Sequence, residues 1–145
     1  MRKKKEKKII GRTETVDFPE LNISGIEAKV DTGAYTSAIH CTNIRVEHRD
    51  GEKILCFEIF THGNEEDSLQ ERCFKNYKRK RIKNSFGHIE LRYIIKTRIK
   101  LFQHDYPIEL SLADRTKMKY PVLLGRKMLY KRFIVDVSRK NQSGK

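Results

Sequence analysis

The chain has 145 residues, and none of its apolar runs is long enough to span a membrane. Its basic first eight residues are not followed by the apolar stretch of a secretory leader either. A soluble, cytoplasmic chain with no membrane partner is the expectation. Cysteine is sparse. Cys41, Cys56 and Cys73 are odd in number and too widely spaced for a C-x-x-C zinc site or for the disulfide framework of a small secreted domain. Reduced thiols are expected, with no metal bound. The sequence contains no H-E-x-x-H and no Walker-type Gly-rich lysine loop, so it has neither a zinc-peptidase helix nor a P-loop. Internal repeats are missing, and helical periodicity is scarce.

What remains is short-period alternation and unevenly placed positive charge. A mass of 17.2 kDa suits one domain with a real core, although 37% hydrophobic against 35% charged residues is polar for a globular protein. Of the net charge of +13, residues 1–8 carry +5, residues 138–145 carry +3 and residues 72–83 carry +7 with no acid, leaving −2 for everything else. Basicity therefore belongs to two tails and one segment. The expected layout is a disordered basic tail at 1–8, one domain at 9–137 with a loop insertion at 61–80, and a C-terminal tail at 138–145.

Ile26, Ala28 and Val30 alternate with Glu27 and Lys29, as do Ile108, Leu110 and Leu112 with their neighbours, so each set gives a strand one apolar face. IRVEH and ILCFEIF flank RDGE, where Asp50-Gly51 suits a tight hairpin turn. A second hairpin is expected around Ser85-Phe86-Gly87-His88, with IELRYII returning from it. Only RKMLYKRF reads as a short helix, followed by Phe133-Ile134-Val135 as a closing strand. The class is mostly β, a closed or nearly closed small barrel.

The stretch VDTGAYTSAI ends an apolar run with a carboxylate, Asp31, followed at once by Thr32, Gly33 and Ala34. Alone, D-T-G is commonly a turn, because Asp accepts local backbone hydrogen bonds and Gly relieves strain. A second stretch, YPVLLGRKML, carries Gly125 and Arg126 after an apolar run. In that order the two resemble the paired signature of retropepsin-like aspartic peptidases. IGRTETVDFPELNISGIEAKVDTGAYTSAIH, RDGE, RIKNSFGHIELRYIIKT and FIVDVS extend the likeness over most of residues 9–138. They resemble the bacterial branch often labelled putative ATP-dependent zinc protease, some members of which occur beside ATP-grasp ligases that attach glutamate to proteins. Neither zinc nor ATP is supported by the residues of this chain, and no cofactor is expected.

The resemblance implies a barrel of the acid-protease type with one short C-terminal helix, and an endopeptidase using two carboxylates that share a proton. With a single D-T-G, the second Asp31 would come from a homodimer. It further implies catalytic roles for Asp31, Thr32 and Gly33, substrate contacts at Ala34 and at a flap tip of Ser85, Phe86 and Gly87, and support from Gly125 and Arg126. An acid follows D-T-G-A in many retropepsins, but Tyr35 stands there, so Arg126 needs another acidic or carbonyl partner, with Asp114 and Asp136 as candidates. Peptide or protein substrates, acidic or glutamate-rich ones among them, and a functional link to an ATP-grasp ligase are implied as partners. The alternative is a non-catalytic dimeric module on the same fold that binds peptide or nucleic acid. RCFKNYKRKRIK, with Phe74 and Tyr77 among its cations, could contact phosphates and bases, but charge runs are more often solvated faces. His40 and Cys41 do not form a nucleophile and base, since neighbours on a strand face opposite ways.

Overall fold

The computed structural model describes residues 6–61, 68–83, 86–115 and 118–144. Its strands are β1 (Lys8–Ile10), β2 (Thr13–Phe18), β3 (Ile23–Val30), β4 (Ser37–His40), β5 (Thr42–Arg49) and β6 (Glu52–Thr61), then β7 (Ser68–Phe74), β8 (Lys78–Lys83), β9 (Ile89–Leu101), β10 (His104–Ala113), β11 (Val122–Leu124) and β12 (Phe133–Val135). One helical turn, α1 (Arg126–Leu129), lies between the last two strands. The molecule is mostly β. Six strands close on themselves in the order β10, β4, β11, β3, β2, β9 and back to β10. This is the barrel that alternation predicts. β8 lies on the outer side of β9, β5, β6 and β7 form an antiparallel sheet, and β1 pairs in parallel with β12.

Alternating side chains fill the ring. Val16 and Phe18 from β2, Ile26 and Ala28 from β3, Ile95 and Ile99 from β9, and Leu110 and Leu112 from β10 all join one buried cluster. Burying a side chain such as Phe18 or Ile99 contributes about 2 to 3 kcal/mol each. At Asp50 and Gly51 φ is 51° and 77°, the two positive values of a primed hairpin turn whose twist matches β5 and β6. That hairpin is as expected.

Three expectations need correction. First, much of the anticipated loop at 61–80 is strand: β7 pairs with β6 from Ser68 to Phe74, and β8 pairs with β9 from Lys78 to Lys83. Polarity misled because β8 is an edge strand whose ladder uses backbone groups, so Lys and Arg can be solvated on it while discouraging a further strand from pairing. Phe74 also stacks on Phe57 with centroids 5.9 Å apart, tying β7 to the core. Residues 62–67 of that segment lie outside the described residues.

Second, neither terminus is wholly a tail. Lys8 begins β1 opposite Phe133. The chain after β12 returns over β2, where the Arg12 N–H donates to the Arg139 carbonyl at 2.8 Å and the Asn141 N–H to the Thr13 carbonyl at 2.9 Å. Beneath this strap lies Glu14, fully buried. Its carboxylate accepts from the Gly11 N–H at 2.8 Å, the Gln142 N–H at 3.0 Å and the Ser143 N–H at 2.8 Å. A buried charge is tolerable when hydrogen-bonded in this way. A Cβ on Gly11 would sit 2.5 Å from the Arg139 carbonyl oxygen, so the strap can cross only at a glycine.

Third, the thiols are not all reduced. Cys56 and Cys73 stand directly opposite one another on β6 and β7, Cα atoms 4.2 Å apart, and their sulfurs are bonded. Spacing along the chain did not suggest this because strand pairing sets the partnership. Cys41 is a buried free thiol.

Candidate active site

Asp31 sits where β3 leaves the ring. Its N–H donates to the Leu124 carbonyl at 2.9 Å, one step beyond the parallel pairing of Leu124 with Val30. The two sequence motifs are therefore neighbouring strand ends. After Asp31 the backbone turns tightly: the Gly33 N–H donates to the Asp31 carboxylate at 3.0 Å and the Ala34 N–H to the Asp31 carbonyl at 3.2 Å. A Cβ on Gly33 would lie 3.2 Å from the Asp31 carboxylate oxygen, so glycine keeps this approach open. Asp31 and Ala34 are half-buried, while Thr32 and Gly33 are exposed.

The second motif clasps this loop from behind. The Arg126 N–H donates to the Ala34 carbonyl at 2.8 Å, the Lys127 N–H to the Tyr35 carbonyl at 3.0 Å, and the Gly125 N–H to the Ser37 hydroxyl at 3.0 Å. At Gly125 an added Cβ would fall 2.7 Å from the Tyr35 carbonyl oxygen and 2.9 Å from that of Ala34. Only glycine allows such proximity. The resemblance implies support from Gly125 and Arg126, and the geometry brings both against the loop.

Arg126 finds a carbonyl and an aromatic ring. Its guanidinium donates to the Thr32 carbonyl at 2.9 Å and lies 5.8 Å from the centre of the Tyr35 ring. Neither candidate acid serves it. Asp136 accepts from Ser138 and pairs with Arg139, and Asp114 is 3.8 Å from His40. Tyr35 also receives the Lys80 ammonium, 5.5 Å from its ring centre, so β8 reaches the loop through that contact. The ring stands where a retropepsin acid would be, and its negative face takes over the attraction of a cation.

One further cation, Arg115, lies within reach of Asp31, and Arg92 stands near Arg115 while paired with Glu90; the motifs did not point to either. The Arg115 guanidinium is held below its usual range by burial and by Arg92, with Asp31 pulling the other way. The Arg115 N–H donates to His40 Nδ1 at 2.7 Å, which fixes the chain beside the end of β4. Arg92 lies on β9 directly opposite Lys80 on β8, so the two side chains share one face of the hairpin. Because these residues arrive from separate elements, no sequence spacing could have grouped them.

The flap candidate is the connection between β8 and β9. Ser85 lies outside the described residues. Phe86 is 85% exposed and Gly87 has φ +82°, a left-handed value that suits glycine. Among the described residues, one set of potential metal-binding side chains is close-set, Glu47, Cys56, Glu71 and Cys73, and it lies on the β5–β7 sheet, apart from Asp31.

Comparison with known proteins bears on the fold and the family. A Legionella pneumophila protein of unknown function, known from its crystal structure, shares the fold with a TM-score of 0.68 at 24% identity, over 95% of this chain and 99% of that one. Proteins named probable alpha-L-glutamate ligase are 44% identical over 131 residues in Desulfotalea psychrophila and 41% identical over 130 residues in Shewanella halifaxensis. In both, the match covers 90% of this chain but 28% of the relative, so the chain spans little more than a quarter of their length. The model of the RimB-like family, described as retropepsin-like aspartic endopeptidase RimB, matches residues 9–145, and the chain belongs to that family.

Proposed function

We propose that this chain is an aspartic endopeptidase whose working unit is a homodimer, with one water activated between two Asp31 carboxylates. The observation that carries this reading is the clasp itself. Gly125 and Arg126 hold an Asp-Thr-Gly turn so that a half-buried carboxylate stands beside exposed Thr32 and Gly33. One carboxylate cannot be both base and acid, and a two-fold axis at the loop would supply its twin. Two carboxylates that close share one proton, since both cannot ionise cheaply. The ionised one takes a proton from water as oxygen attacks the peptide carbonyl, and the protonated one donates to the carbonyl oxygen. Collapse of the resulting diol then passes a proton to the leaving amine. Thr32 would bridge the two loops through its hydroxyl, and the connection carrying Phe86 and Gly87 would close over the peptide and exclude water.

The substrates proposed are acidic, glutamate-rich peptides. Lys80, Arg115 and Arg126 border the loop, and such a wall concentrates anionic peptides. Relatives that carry a glutamate-ligase name include a region like this one in the same polypeptide. A hydrolase that trims glutamate tails, functionally linked to such a ligase, would account for both facts. The test is Asp31→Asn, which keeps size and removes the base. On a peptide with an oligoglutamate tail, followed by mass spectrometry, hydrolysis should fall by at least about 100-fold. Undiminished hydrolysis would exclude the mechanism, and binding without cleavage by either form would favour a non-catalytic peptide-binding module.

A further inference from the structure

The outer face of the β5–β7 sheet carries a cluster that the peptidase chemistry leaves unused. Cys56, on the central strand, is fully buried, and its bonded partner Cys73, on the edge strand, is exposed. Arg45 stands opposite Cys56 on β5 and pairs with Glu71, whose carboxylate oxygen is 3.5 Å from the Cys73 sulfur. Arg49 pairs with Glu47 at 2.6 Å and with Glu71 at 3.4 Å. The two carboxylates are thus engaged by guanidinium groups, and the sulfurs are left to each other. Burial pushes the third thiol, Cys41, up to about 12, so it stays protonated and takes no part in exchange.

The position of this bond in the chain gives it a use. β7 has one ladder partner among the described residues, β6, and ends at Phe74; after three intervening residues β8 begins at Lys78 and carries Lys80 to the Tyr35 ring. A crosslink at Cys73 anchors the strand immediately before the cationic wall. We infer that Cys56 and Cys73 are a reversible thiol–disulfide site whose closed form holds β7 and β8 in place and so sets the affinity of the cation-bordered Asp31 loop for acidic peptides. The link to affinity rests on the substrate reading given above.

The exchange needs a small disulfide as oxidant, such as oxidised glutathione. The exposed Cys73 thiolate attacks one of its sulfurs and releases one thiol. Cys56 then attacks the Cys73 sulfur and releases the second. Two protein thiols are oxidised, one disulfide becomes two thiols, and the two protons pass to them.

The full chain, equilibrated in glutathione buffers of graded ratio, can be read by alkylation, mass spectrometry and amide hydrogen exchange. Under oxidising buffer one thiol, Cys41, should remain to label after unfolding, against three under reducing buffer. Exchange over residues 68–83 should be roughly tenfold slower in the oxidised form. The Cys56→Ser, Cys73→Ser double variant should match the reduced rate in every buffer while keeping its ring strands protected. Three labelled thiols in fully oxidising buffer, or equal exchange in both forms, would overturn the inference. So would zinc retained by the reduced protein through gel filtration, which would make the four side chains a metal site. If exchange differs between forms but no acidic peptide is cleaved in either, the peptidase reading fails and the thiol site stands. If cleavage occurs with equal KM in both forms, the link to peptide affinity fails.

Discussion

At Tyr35 one ring takes both the Arg126 guanidinium and the Lys80 ammonium, 5.8 Å and 5.5 Å from its centre, and it joins the second motif and β8 to the loop that holds Asp31. Each such contact is worth about 0.5 to 1 kcal/mol where solvent reaches it. Tyr35→Phe should therefore keep thermal stability and activity, whereas Tyr35→Ala should cost about 1 to 2 kcal/mol in urea unfolding. Arg126→Lys keeps the charge but loses the planar group, and it should resemble Tyr35→Ala more than wild type. Gly125→Ala places a methyl group 2.7 Å from a backbone oxygen that has nowhere to retreat, and a loss of about 1 to 3 kcal/mol with a larger loss of hydrolysis is expected. Asp31, Gly125 and Arg126 stood out in the sequence through the resemblance of two short stretches to one family signature, and the structure sets those stretches side by side. Tyr35 as the answer to Arg126 was not legible there, since an aromatic face receives a cation without leaving a charge pattern to read.

At the scale of elements, β8 shows why composition alone misplaces a strand. Its ladder to β9 is made by the backbone, and its five Lys and Arg residues are compatible with that ladder because their side chains are exposed. Lys80→Glu should raise KM for an acidic peptide and weaken the dependence of KM on ionic strength, with kcat little changed. β10 contributes a pH effect. Burial works to raise the Glu109 carboxyl, but Lys127 at 3.0 Å and Lys78 at 3.5 Å outweigh it and hold it below the usual carboxylate range. A lowered carboxyl stabilises the fold above its unfolded value of about 4.3 and loses that contribution as pH falls through the lower folded value. Between about pH 5 and pH 3 wild type should lose more stability than Glu109→Gln, measured by thermal melts at each pH. The strap over β2 was illegible for a different reason. Gln142 and Ser143 offer Glu14 their backbone N–H groups, which every residue but proline possesses. Glu14→Gln points amide hydrogens at those donors and should cost about 2 kcal/mol, with faster exchange over residues 139–143.

For the whole molecule, the single Asp-Thr-Gly turn makes the proposed activity a property of pairs. Mixing wild type with excess Asp31→Asn should lower hydrolysis below simple dilution, since most wild-type chains would then sit in mixed dimers with one working carboxylate. Unchanged activity on mixing would speak for a site complete in one chain. Alternation foretold a closed ring but not its strand order, because each strand records only which of its faces is buried.

Ring closure also bears on how the protein is made. Thr32 and Arg126 are 94 positions apart, and the clasp between them exists only after β11 has slotted between β3 and β4. Pairings over such separations close late and slowly, because loop entropy is lost before contacts repay it. A nascent chain would carry Asp31 long before it had the glycine that shapes the turn. On the proposed reading the site is therefore unfinished until synthesis is nearly complete, and regain of hydrolysis on refolding should track the last event rather than the first collapse.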